Sequence, residues 1–220
     1  MLPYTADVFF NLMGRYNAAM GQGMAAAVAL ALAATVLAVR PRPGGDRAIT
    51  GILALGWLWA GAVFHNDYFA PLNFAAPIYA AGFVLQSALL LLTGVGLKKL
   101  QFRPAADMQT VTGLGIAALA LIGNPVLGWL AGWPVAQTQV VGLAPNPTAM
   151  LTLGLLLLAR PSVPLHLMAL PVAWALWSGW MSWVLDITSD LTLPVAGVVA
   201  FGLGVWARVR RRTPLSDETA

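Results

Sequence analysis

Cysteine is missing from all 220 residues. Its absence removes disulfides, thiolate metal sites, iron–sulfur clusters and covalently attached haem in one step. Charge is scarce as well. Asp, Glu, Lys and Arg make up 9% of the chain, against about 25% in soluble proteins, and so little polar surface excludes a water-soluble fold. The two lysines are Lys98 and Lys99, which leaves the last apolar run with no Schiff-base amine and excludes a retinal-type attachment there. What fills the chain instead is apolar, with 59% hydrophobic residues and a mean hydropathy of +0.77. A bilayer crossing takes about 20 mostly apolar residues, so there is material for several. The net charge of +4 is carried by residues at the ends of apolar runs, where Lys and Arg set topology rather than contact nucleic acid.

The apolar runs cover residues 24–39, 48–64, 75–97, 111–129, 147–159, 165–185 and 191–207. The first is followed, not preceded, by Arg40 and Arg42, so it reads as an uncleaved anchor rather than a signal peptide. The fifth has 13 residues, rising about 20 Å as helix, short of the roughly 30 Å hydrocarbon core. The positive-inside tendency resolves it. If all seven runs cross, Arg40, Arg42, Arg47, Lys98, Lys99, Arg103, Arg160, Arg208, Arg210, Arg211 and Arg212 share one side and Arg15 alone is opposite, 11 against 1. If the fifth does not cross, Arg160 and the four C-terminal arginines change side and the split becomes 6 and 6. The expected fold is therefore an all-α bundle of seven spans over residues 18–207, N-terminus outside and C-terminus inside, with a basic then polar cytoplasmic tail at 208–220. The fifth span is expected to start near Val140 and to be interrupted by Pro145-Asn146-Pro147. Residues 1–17 are too polar to span. With Thr5 as N-cap they place Val8, Phe9, Leu12, Met13 and Tyr16 on one face, as in a helix lying on the outer leaflet.

Several short patterns occur in order along the chain: Tyr16-Asn17-x-Ala19; His65, Phe69 and Leu72-Asn73-x-Ala75-Ala76; Gly123-x-Pro125-x-x-Gly128; and Pro145-x-Pro147-Thr148 with Gly154-Leu155-Leu156-Leu157. Together they resemble the domain of unknown function 6064 family of bacterial integral membrane proteins, over residues 4–208. The resemblance implies a multi-pass protein of the bacterial inner membrane and carries no activity or cofactor with it.

Ionisable groups near membrane spans are functional candidates. His65, Asn66 and Asp67 end the second run, and Asp186 and Asp190 end the sixth on the same side. They either converge on one outward-facing site for a cation or proton, or mark the interface as loop residues. Asn124-Pro125 and Asn146 between two prolines suggest broken helices that expose backbone at depth, as at transporter sites; the plainer account is a proline kink with Asn satisfying the freed backbone. Trp174, Trp177, Trp180 and Trp183 follow at three-residue steps, either walling an aromatic cavity or facing lipid. His166 lies at the opposite end of the sixth run from that face, so a shared metal or bis-histidine haem with His65 is disfavoured.

These residues support binding or transport of a small cation or polar solute in an outward-facing cavity made by His65, Asp67, Asn124, Asn146, Trp177, Trp180 and Asp186. The alternative is an accessory or assembly subunit of a larger membrane complex, with other subunits or further copies of the chain as partners beside the lipid bilayer. No nucleophile–base pair, paired carboxylate within a span or phosphate loop is visible, so an enzyme is not expected. No cofactor is expected either.

Overall fold

Thr5 opens the first helix as expected. Its Oγ1 accepts from the Val8 N–H at 3.4 Å, and α1 runs over Ala6–Met20. It ends at Gly21, whose φ of +49° suits a residue without Cβ, and the chain turns through 90° into α2, Gly23–Val39. The buried face of α1 carries Phe10, Leu12, Met13, Tyr16 and Asn17, while Val8 points outward. The Asn17 amide sets this rotation by donating to the Ala136 and Thr138 carbonyls at 2.9 and 2.8 Å, so the inner face of α1 rests on the protein.

The computed structural model describes residues 3–210, and within them the fold is all-α apart from one two-residue strand pair. α3, Gly45–Trp59, continues as a π-helix over Ala60–Phe69. α4, Ala76–Leu90, continues likewise over Leu91–Gly96. α5, Met108–Ala118, passes through a π-turn at Leu119–Gly123 into α6, Asn124–Leu130. Then come α7, Pro145–Leu156; α8, Leu165–Val184; and α9, Thr192–Arg210, entered through a 3-10 turn at Thr188–Leu191. Among the described residues five helices are long and apolar enough to cross a membrane, or six if α1 and α2 form one bent span. The sequence reading has seven; α2 and α7 are the two shorter helices among those runs.

Three expectations about breaks are corrected. The second run does not stop at Phe64, because i→i+5 bonding carries the helix to Phe69 through the polar residues. Asn124-Pro125 breaks nothing, since the π-turn before it absorbs the proline and Met108–Leu130 is one helix. Pro145 and Pro147 do not interrupt a span but start α7, where the missing proline N–H would have had no helical partner.

α7 is the centre of the molecule. All twelve of its residues are buried, and it touches α2, α3, α5, α8 and α9. At its closest approach to α5, a Cβ on Gly113 would lie 2.5 Å from the Gly154 carbonyl and one on Gly154 would lie 2.6 Å from the Gly113 carbonyl. Only two glycines permit backbone contact of this kind.

Beyond α7 the chain forms β2, Ala159–Arg160, antiparallel to β1, Gln101–Phe102, with Gln101 opposite Arg160 and Phe102 opposite Ala159. This pair closes what we call the basic end. Arg103 meets Asp46 at 2.9 Å and Arg160 meets Asp107 at 2.6 Å. Partial burial acts to raise the Asp107 pKa, but the Thr110 amide and hydroxyl and the Arg160 guanidinium outweigh it and hold the carboxyl below its ordinary value. Arg211, Arg212 and the remaining tail lie outside the described residues.

Candidate functional site

At the end covered by α1, three elements bring polar groups into the interior. The first is the π-helix after α3. Its wide turn is closed by the Ala70 N–H donating to the His65 carbonyl at 3.0 Å, and it points His65 inward while Asn66 and Asp67 face out. The His65 side chain is fully buried. Rings surround it, with centroids at 4.8 Å for Phe83, 5.1 Å for Trp174, 5.3 Å for Phe64, 5.7 Å for Tyr79 and 5.8 Å for Phe69. Among the described residues neither ring nitrogen has a hydrogen-bond partner, an unusual state for a buried polar side chain.

The second element is the 3-10 turn before α9, which folds Asp190 back into the bundle at 4% exposure. Its Oδ2 accepts from Gln139 Nε2 at 2.6 Å and from Asn146 Nδ2 at 2.8 Å. The third is the start of α7, where Asn146 Oδ1 accepts from Trp174 Nε1 at 3.0 Å and Ser178 Oγ at 2.8 Å. Asn146 thus joins α7, α8 and the turn before α9, and the side chains that donate to Asp190, those of Gln139, Asn146 and Ser189, are all neutral.

Tyr4, His65, Gln139, Asn146, Trp174 and Asp190 border a shared cavity of about 30 Å³. That volume suits roughly one water or small ion and is far below the about 300 Å³ of the smaller organic-ligand pockets. Among the described residues no Lys or Arg lines it. Burial pushes the Tyr4 hydroxyl up to about 12, so that hydroxyl is a neutral group, donating to Met181 Sδ at 3.8 Å.

Of the residues singled out from the sequence, His65 and Asn146 meet here together with Asp190. Asp67 is exposed and accepts from the amide of its neighbour Asn66 at 2.8 Å. Asp186 is exposed, at a φ of +59° where the chain leaves α8. Trp177 and Trp180 lie on the outer surface at 41% and 47% exposure, their ring centroids 4.9 Å apart. The wall of the cavity is Trp174, because three-residue steps drift around a helix and only one ring of the stripe faces inward. Asn124 is buried with its amide nitrogen unpartnered, but it does not border this cavity. Sequence reasoning missed Tyr4, Gln139 and Ser178. Ser178 was within reach of it, being four residues from Trp174 and so on the same helix face; Gln139 sits in a loop and gives no such signal. Among the described residues no group of three or more His, Asp or Glu side chains is placed to hold a metal ion, so a cation here would rest largely on the carboxylate and neutral atoms.

No curated protein and no solved structure matches the chain. The sequence profile described as "Family of unknown function (DUF6064)" matches residues 6–214. The motifs around Tyr16, His65, Pro125 and Asn146 all fall inside that match, which covers nearly the whole chain, and the protein is a member of the DUF6064 family.

Proposed function

We propose that this is a multi-pass protein of the bacterial inner membrane that binds a small cation, a proton or an alkali ion, at the His65–Asp190 cavity and passes it towards the interior of the bundle. In this reading the α1 end faces outward with α1 along the outer leaflet, and the basic end faces the cytoplasm. The chain alternates between the two ends seven times, with α7 and the segment to Arg160 as the fifth passage, which keeps Lys and Arg together on one side. One observation carries the reading: a buried carboxylate held only by neutral donors shares a water-sized cavity with an imidazole that has no partner. An uncompensated buried charge is unfavourable by several kcal/mol, and a small cation is what would compensate it. The cavity volume argues against an organic solute.

The test is thermal unfolding of the purified protein in sodium, potassium, lithium and bulky organic-cation chlorides at matched ionic strength, over mildly acid to mildly alkaline pH. The melting temperature of the parent should depend on the cation or on pH, and Asp190→Asn should erase that dependence while remaining folded. Equal melting of the parent under all conditions would remove the cation reading.

A second reading, an assembly subunit or homo-oligomer, is favoured by an apolar cleft of about 360 Å³ bordered by Ala27 and Leu30 of α2, Ile52 and Gly56 of α3, and Thr148 of α7. Light scattering of the detergent-purified particle measures its mass, and a single-chain mass would count against a homo-oligomer.

A further inference from the structure

We infer that the basic end holds a second site, independent of the first, for a phosphate-bearing anion. A cavity of about 250 Å³ is bordered there by Thr93 from the π-turn after α4, Lys99 from the segment that follows, Arg160 from β2, Ser162 from the β2–α8 connection, His166 from the first turn of α8, and Arg208 from the last turn of α9. Four elements therefore turn basic groups into one hollow. Arg160 is already engaged, donating to Asp107 at 2.6 Å and to the Leu157 carbonyl at 2.9 Å. Among the described residues neither Lys99 nor Arg208 has a carboxylate within ion-pair distance, and no Asp or Glu borders the cavity.

The local backbone aims these groups. Lys98 adopts a φ of +55°, a conformation uncommon for residues with a Cβ, and the turn it makes lets the Lys99 N–H bond the Thr93 carbonyl at 2.9 Å. Lys99 then borders the cavity and Lys98 does not. Like charges gathered in a partly enclosed space repel one another, and an anion relieves that repulsion. Lysine supplies a point charge and arginine a planar fork of donors, the combination that suits several oxygens on one centre. The Ser162 and Thr93 hydroxyls add neutral donors to the same lining.

Size and polarity narrow the class. The volume lies below the about 300 Å³ at which pockets enclose drug-sized ligands, which fits a head group or a small phosphate ester better than a nucleotide. Leu97, Leu100 and Val163 share the lining with the charges, as an amphiphile entering from the bilayer edge requires. The common chemistry is a phosphate mono- or diester, supplied either by a phospholipid head group or by a soluble ester.

Native mass spectrometry of the full chain in neutral detergent distinguishes the two sources. One arm titrates phosphatidic acid and phosphatidylglycerol against phosphatidylcholine; the other titrates glycerol 3-phosphate against glycerol at matched ionic strength. Expected is one-to-one binding of the anionic lipids, with or without glycerol 3-phosphate. Retention of lipid alone assigns the head group, and retention of both assigns the phosphate itself. The Lys99→Gln/Arg208→Gln double variant should bind at least about tenfold more weakly, and Lys98→Gln/Arg42→Gln, which removes as much charge from the same end, should bind like the parent. If the double variant does not fold, the two single variants carry the same comparison. Absence of binding above the phosphatidylcholine and glycerol controls, or equal weakening in both double variants, overturns the site in favour of diffuse surface charge.

Discussion

The two ends of α7 are built on opposite terms. At its N-terminal end Asn146 is held between prolines and engaged on both amide atoms, next to an acid whose cavity is lined by no Lys or Arg among the described residues. Past its C-terminal end the chain enters a region rich in both signs of charge, where the Arg103–Asp46 pair is 48% and 26% exposed on its two sides. The difference is one of solvent. Where water is excluded, each polar atom needs a partner in the right place, so geometry decides what the site can do. Where water and salt reach an ion pair, screening leaves that pair little weight in stability.

Removing Asn146 tests this contrast most severely. Asn146→Ala strands the Trp174 indole N–H and the Ser178 hydroxyl and takes a donor from Asp190, and losing partners of buried polar groups should destabilise by about 2–4 kcal/mol. Asp46→Asn at the basic end breaks a partly exposed pair and should change stability by only about 0–1 kcal/mol. Unfolding of both variants in the same detergent compares them directly, and equal losses would erase the distinction between the ends.

His65→Phe sharpens the comparison from the other side. The substitution removes two unpartnered nitrogens from an aromatic surround, so stability should hold or rise by about 1 kcal/mol, while the cation or pH dependence of melting proposed above weakens. A marked fall in melting temperature would mean that the imidazole has a partner essential to the fold.

The smallest effect is expected in acid at the basic end. The Asp107 pKa is lowered in the folded protein, so its contribution is complete above the unfolded value and is lost as pH falls through the folded one. Melting temperature should therefore decline below about pH 4, and Asp107→Asn should flatten part of that decline. The group is partly exposed, which keeps the change modest. An identical acid limb in the variant would place the linkage elsewhere.

Parts of this arrangement were legible beforehand. The cap at Thr5, the helical runs of α3, α4, α8 and α9, and the gathering of Lys and Arg at one end follow from local chemistry and from the scarcity of charge. His65 and Asn146 could be picked out because polar residues are rare beside apolar runs. The selection among the polar residues was not legible. Asp67 and Asp190 are the same residue type at ends of apolar runs, yet one is exposed and one is buried. The π-turn that rotates His65 inward turns Asp67 outward, and the 3-10 turn before α9 brings Asp190 back over α7. Neither turn has a sequence signature strong enough to read.

The sequence on its own determined that the chain forms apolar helices with a basic end, because the length of each apolar run and the placement of Lys and Arg at run ends are set by residue order, and hydrophobic burial and charge desolvation act on them directly. The tertiary structure alone decided that the least regular run, Pro145–Leu156, is the central helix buried along its whole length. That place depends on Gly113 and Gly154 meeting backbone to backbone, an approach no single run can encode. The same packing brings Gln139, Asn146, Trp174 and Asp190 to one point from four separate parts of the chain. Hydrogen bonds reach only about 3 Å, so such a cluster exists only once the helices that carry it have closed around α7.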